Sequence, residues 1–124
     1  MANTLAPAAI NHVMEGSAKS WVDLSGLGSP AIDDSLNASS VTDLGVGNRR
    51  INFASAMSNA NYSVLAGMIE DGNTNGNRGA SGHQVENKTT ALYQYFVFFG
   101  SSASSDGGAS DVAVDGGSVL GDLA

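Results

Sequence analysis

Apolar and polar residues alternate with a period of two along several short stretches of this chain. Glycine-rich runs separate them, and together they form the pattern of half-buried strands joined by turns. Residues 18–24 predict the first strand, with Ala18, Ser20, Val22 and Leu24 on one face and Lys19, Trp21 and Asp23 on the other. It ends in Ser25-Gly26-Leu27-Gly28-Ser29-Pro30, a run of turn residues. Residues 31–41 predict a second extended segment, with Ile32, Asp34, Leu36 and Ala38 on one face. Its Ser, Asn and Asp residues disfavour a helix because their side chains compete for backbone hydrogen bonds. A glycine-containing turn over 43–47 then leads into 49–53, where Ile51 and Phe53 share a face opposite Arg50 and Asn52. That is the signal of a β-hairpin with a longer loop.

Further along, residues 54–60 read as a connector with room for one helical or 3₁₀ turn, and 61–69 as another strand in which Gly67 would mark a bulge. Residues 70–82 form a polar, glycine-rich stretch that predicts a long loop, the kind of segment that is usually functional or mobile. Residues 89–99 give the strongest strand signal, with Leu92, Tyr93, Tyr95, Phe96, Val97, Phe98 and Phe99 apolar on both faces. Burial on both sides is the expected consequence. After a low-complexity run over 101–108, residues 111–115 and 118–123 predict two short closing strands. Six or seven short strands with turns between them imply an all-β, antiparallel sandwich, and no fixed internal period suggests a repeat architecture. The expected division is an N-terminal arm over 1–15 and one sandwich domain over 16–124. Leu5, Pro7, Ile10 and Val13 fit a docking arm better than a purely solvated tail, although a frayed terminus is the plain alternative.

Composition narrows the function more than the fold. A chain of 124 residues suits one domain, large enough to bury roughly two-thirds of its unfolded surface. With no Cys there is no disulfide and no thiolate metal site, which suits assembly in a reducing cytosol. Five basic against twelve acidic residues give a net charge of −7. Nucleic-acid binding through a basic patch is not expected, since phosphate neutralisation needs clustered Lys and Arg. No apolar run is long enough to predict a membrane-spanning helix, and the N-terminus lacks a secretory pattern.

Candidate chemistry is thin. Asp71-Gly72-Asn73-Thr74-Asn75-Gly76 opens like an EF-hand calcium loop, but loop position twelve falls on Gly82, which has no side-chain ligand. Gly79-Ala80-Ser81-Gly82 is not a nucleophile elbow, and His12 and His83 are too few for a three-histidine zinc site. Asp33 and Asp34 alternate across a strand and make a poor acid/base pair, and Gly26-Leu27-Gly28 lacks the third glycine of a dinucleotide fingerprint. Asn37, Asn61 and Asn87 open Asn-x-Ser/Thr sequons without a secretory context. No catalytic residue, metal or cofactor is therefore assigned. Asp71, Asn73, Asn75, Asn77 and Arg78 are candidates for an exposed recognition loop. Leu5, Pro7, Ile10 and Trp21 are candidates for contacts with a neighbouring subunit or a larger assembly. Arg49-Arg50, the one adjacent basic pair, reads either as charges on a solvated hairpin edge or as a salt bridge to an acidic surface of a neighbouring subunit or a larger assembly.

Three stretches carry a resemblance. Glu15-Gly16-Ser17-Ala18-Lys19-Ser20-Trp21-Val22-Asp23-Leu24 is similar to the pattern QGxAKAWVNF. Leu36-Asn37-Ala38-Ser39-Ser40-Val41-Thr42-Asp43-Leu44-Gly45-Val46-Gly47 is similar to FNVSSITDNGTG. Ile51-Asn52-Phe53-Ala54-Ser55-Ala56-Met57-Ser58-Asn59-Ala60-Asn61-Tyr62-Ser63-Val64 is similar to VNFATAMPNANYAV. With the ending Gly121-Asp122-Leu123-Ala124, the chain resembles a module of tailed bacteriophages found in tail-fibre and tailspike distal domains and in stand-alone virion proteins. Ser58 stands where that family has Pro. The resemblance implies an antiparallel, jelly-roll-like sandwich assembled as a homotrimer. The short lead before the module shifts the expectation from a fibre tip to a head-decoration (cement) protein. Such a protein is non-enzymatic and binds the major capsid protein on the outer shell of the virion after assembly in the host cytoplasm. Contact with host surface polysaccharide is a secondary expectation, and a receptor-binding fibre tip is the alternative.

Overall fold

The computed structural model describes residues 17–25, 29–69, 81–99, 108–109 and 114–124. Among them nine strands form: β1 (Ala18–Ser25), β2 (Ala31–Leu36), β3 (Ala38–Gly45), β4 (Asn48–Phe53), β5 (Ser63–Ile69), β6 (Ser81–Lys88), β7 (Leu92–Phe99), β8 (Gly108–Ala109) and β9 (Val114–Leu120). They make two antiparallel sheets. Sheet A has the order β2-β1-β9-β5, and sheet B has the order β3-β4-β7-β6, with the two-residue β8 also pairing with β7. The inward residues of both sheets meet in one core, as a β-sandwich requires. Sheet A supplies Val22, Leu24 and Val119, and sheet B supplies Ile51, Phe53, Tyr93, Tyr95 and Val97. Met57 and Tyr62, from the connector between β4 and β5, complete it. The predicted all-β, antiparallel class is the observed one.

Alternation works where the register is regular. In β1, Ser20, Val22 and Leu24 are buried, as predicted, and Trp21 lies on the outer face. In β2 the pattern breaks. Asp23 pairs with Asp34 and Leu24 with Ile32, so Asp33 is the extra residue of a β-bulge. The bulge resets the parity, so Ile32 and Ser35 are half-buried while Asp34 and Leu36 are exposed, not the shared face expected for 32, 34, 36 and 38. The expected single segment over 31–41 is two strands. Asn37 separates them with φ of 55°, a left-handed conformation that Asn tolerates better than most residues. Its side chain then bridges to the connector: Nδ2 donates to Ser55 O (3.1 Å) and Oδ1 accepts from Ser55 N (2.6 Å).

The hairpin between β3 and β4 is tighter than expected. β3 runs on to Gly45, leaving Val46-Gly47 as the turn, with positive φ at Gly45 and Gly47. The connector holds no helical turn; Met57 instead forms an antiparallel bridge with Leu123. Gly67 is not a bulge, since β5 pairs with β9 in unbroken register from Ser63 to Ile69. Of the two expected closing strands, 114–115 and 118–120 belong to one strand, β9, while 111–113 lie outside the described residues, and Leu123 beyond β9 makes that bridge. β7 begins at Leu92, because Thr89 N donates to Leu92 O (2.9 Å) across a turn.

The sequence pattern does not predict β6. Its residues Gln84, Glu86, Asn87 and Lys88 carry no apolar alternation, and all are exposed. The strand pairs antiparallel with β7 from Ser81 to Lys88, and strand propensity depends on such a context more than on the residues themselves. Ser81 and Gly82, expected at the end of a loop, are the start of this strand.

Glycines in β9 set how closely the layers approach. A Cβ on Gly117 would stand 3.2 Å from the Tyr93 hydroxyl and 3.1 Å from Leu65 O. Position 121 is tighter still, with Tyr62 Cβ 2.6 Å from where a Cβ would be.

Candidate functional surfaces on the outer sheet faces

Strand parity separates the two arginines. β4 alternates, burying Arg49, Ile51 and Phe53 and leaving Asn48, Arg50 and Asn52 half-exposed. Arg49 is only 1% exposed and points with the core residues. It is therefore neither on a solvated edge nor at a surface contact, and β4 itself is an interior strand between β3 and β7. Arg50 is on the outer face, as predicted, and Trp21 is on the opposite face of the molecule. Leu5, Pro7 and Ile10, and the loop candidates Asp71, Asn73, Asn75, Asn77 and Arg78, lie outside the described residues.

The outer face of sheet B is a polar ladder. Gln94, from the middle of β7, is its hub. Its Nε2 donates to Asn48 Oδ1 (3.2 Å) and to Glu86 Oε2 (3.0 Å), and its Oε1 accepts from Arg50 Nη2 at 3.5 Å. Next along β4, Asn52 Nδ2 donates to Ser40 Oγ (2.9 Å) and Thr42 Oγ1 (3.3 Å), while Ser39 Oγ donates to the Asn52 carbonyl (3.1 Å). Side chains from four strands thus form two neighbouring hydrogen-bonded groups, one around Gln94 and one around Asn52. Such a surface offers amide, hydroxyl, guanidinium and carboxylate groups to a polar partner.

The outer face of sheet A is different. Register places Leu36 beside Trp21, Trp21 beside Ser118 and Ser118 beside Leu65, one row across all four strands. Leu36 is 47% and Leu65 56% exposed, and Trp21 is half-buried between its neighbours. Asp23 and Asp34 pair in the adjacent row.

One buried cluster ties the connector to sheet B. The Tyr62 hydroxyl lies within hydrogen-bond range of two carbonyls, Thr89 O (2.9 Å) and Leu92 O (2.6 Å), and shares its single proton between them. Lys88 Nζ donates to Tyr62 O (2.8 Å) and stands 5.3 Å from the centre of the Tyr62 ring. Phe53 meets that ring edge-on, and burial pushes the phenol up to about 12. These contacts are structural, since the phenol is enclosed and its proton is occupied.

Among the described residues no cluster of three or more His, Cys, Asp or Glu side chains could hold a metal ion. Nor is any described helix long and apolar enough to cross a membrane. The ladder centred on Gln94 has little sequence signature for two reasons. One partner, Glu86, comes from β6, which has no alternation of its own, and Gln94 lies inside an apolar run that predicts burial on both faces, whereas Leu92, Gln94 and Phe96 are only half-buried. Comparison with protein-family models, curated proteins and solved structures finds no match.

Proposed function

We propose that this chain is a non-enzymatic structural virion protein, a homotrimeric head-decoration protein that binds the major capsid protein on the outer surface of a bacteriophage shell. The resemblance to the tailed-phage module is one support. Its three similar stretches fall on β1, on β2's end with β3 and its turn, and on β4 with the connector into β5. They carry Val22, Leu24, Ile51, Phe53, Met57 and Tyr62 of the core.

The observation that carries the reading is the two-sided surface. Leu36, Trp21 and Leu65 give sheet A an apolar row suited to burial against protein. The ladder around Gln94 gives sheet B a pre-ordered polar face suited to solvent. A protein that binds only the assembled shell stabilises it by mass action, with no chemistry required. The jelly-roll-like topology and the three-fold assembly belong to this proposal. The test is to locate the protein on its particle by electron cryo-microscopy. Density at three-fold positions of the shell, in hundreds of copies, is the expected result. A few copies confined to the tail would overturn it.

The polar ladder also favours the second reading, a receptor-binding fibre-tip protein. Ordered amide and carboxylate groups beside Arg50 are the chemistry that recognises sugar hydroxyls. Binding of recombinant protein to host-envelope polysaccharide, lost in Gln94→Ala, would promote this reading over the first.

A further inference from the structure

The four strands that end the two sheets differ in one respect. Sheet edges expose unpaired backbone groups, and proteins blunt them with bulges and charges. β2 has the bulge at Asp33 and the pair Asp33-Asp34. β3 slips register twice, between Ala38 and Ser40 and between Asp43 and Gly45, and carries Asp43. β6 slips between Val85 and Asn87 and carries Glu86 and Lys88. β5 has none of these devices. Its seven residues, Ser63-Val64-Leu65-Ala66-Gly67-Met68-Ile69, contain no charge and no proline, and their register is continuous. Among the described residues only β9 pairs with it, so no described strand pairs along its other edge, which β6 approaches near the start, where Lys88 Nζ donates to Tyr62 O (2.8 Å).

We propose that this open edge is a strand-addition site for β5 of a second copy of the chain, in antiparallel pairing about a two-fold axis at Ala66. Two features single out a second copy as the occupant. The first is charge. Two copies of a chain with net charge −7 repel, and self-pairing of β2 would set Asp33 and Asp34 near their own images. β5 lets identical edges meet with no charge between them. The second is shape. An axis at Ala66 sets Leu65 of each copy opposite Gly67 of the other. Leu65 is 56% exposed, and around Gly67 the space where a Cβ would stand is empty to 4 Å. The large side chain of one edge thus lies over the gap in the other. A heterologous pairing would need a second unguarded edge, which the other three strands do not provide. A two-fold contact is compatible with a trimer, because it can join trimers at neighbouring three-fold positions of a shell. It does not depend on that reading.

The chain has no cysteine, so a single introduced one reports the contact. Opposed residues of an antiparallel pair have Cα atoms about 4.5–5.5 Å apart, within the span of a disulfide. Under mild oxidation of the full chain, Ala66→Cys should form a covalent dimer roughly tenfold or more faster than Ala54→Cys, placed on the exposed connector, because pairing raises the local thiol concentration. Light scattering of the unmodified chain should show even multiples of the protomer mass, and Leu65→Lys should halve that mass at unchanged circular dichroism. Equal cross-linking rates for the two cysteines would overturn the proposal. So would even-numbered species that Leu65→Lys leaves intact, or the absence of even-numbered species at high concentration. A trimer alone would refute this contact and leave the three-fold assembly standing. Dimers that never become multiples of three would do the reverse.

Discussion

The inner faces of the two sheets are alike and the outer faces are not. Inside, both contribute large apolar side chains at alternate positions, Leu24 and Val22 from one layer, Ile51 and Tyr95 from the other. Outside, sheet B carries a hydrogen-bonded ladder around Gln94, and sheet A carries Leu36, Trp21 and Leu65 in a row with two aspartates beside it. The inner faces answer to packing, which every sandwich must satisfy. The outer faces are free to differ. Arg49 and Arg50 reduce the contrast to adjacent residues of one strand, one enclosed and one in the ladder.

That pair gives the largest expected effect. Arg49→Ala should destabilise the protein by roughly 3 kcal/mol or more, because it opens a cavity and disrupts a buried charged site. Arg50→Ala should cost within about 1 kcal/mol, since a half-exposed group at 3.5 Å from Gln94 contributes little. Chemical denaturation of the two variants measures both. Equal losses would mean that β4 does not keep its two faces apart.

The layers themselves come next. Leu24→Ala and Ile51→Ala remove buried side chains from opposite sheets, and each should cost about 2–5 kcal/mol. Gly121→Ala should cost about 1–3 kcal/mol, because the new methyl group would stand 2.6 Å from Tyr62 Cβ and force the connector outward.

How far could this contrast be read from the sequence? The inward positions of β1 and β4 follow from alternation alone, and so does the class of fold, whereas the run over 89–99 predicts burial on both faces and β7 buries Tyr93, Tyr95 and Val97 while leaving Leu92, Gln94 and Phe96 half-buried. Parity also separates Arg49 from Arg50, because Arg49 shares its face with Ile51 and Phe53. What stayed hidden is everything that breaks or ignores the period. The bulge at Asp33 resets the face of β2, and a bulge inserts a residue without a signature of its own. β6 has no apolar alternation, so its existence depends on β7 and not on its own residues. Gln94 became visible as a hub only once β6 supplied Glu86 beside it. The β5 edge is the opposite case: its lack of charge is plain in the sequence, but it matters only when topology makes β5 the last strand of its sheet.

The Tyr62 cluster joins the two regions by a pH-dependent bond. Tyr62→Phe should cost about 1–2 kcal/mol, the value of a buried hydroxyl with carbonyl partners. The folded phenol is raised to about 12 against an ordinary 10.0, so the folded state keeps a proton that the unfolded state has released in between. Its contribution is complete below pH 10 and is lost as pH climbs toward 12. Denaturation midpoints should therefore fall more steeply for the unmodified chain than for Tyr62→Phe across that window. Parallel curves would place the phenol outside the core.

The smallest effect on folding should come from the row on sheet A. Trp21→Ser removes a half-buried side chain whose cross-strand neighbour is Leu36, and such pairs contribute roughly 0.2–1 kcal/mol. If the row is a surface for protein, that small folding cost should accompany a large loss of assembly, visible as failure to decorate particles at concentrations where the unmodified chain saturates them. Gln94→Ala, on the other sheet, should leave decoration intact. The opposite outcome, with Gln94→Ala abolishing attachment and Trp21→Ser sparing it, would reverse which face points inward. The two sheets would keep their contrast, but sheet B would become the docking face and the apolar row would need another partner.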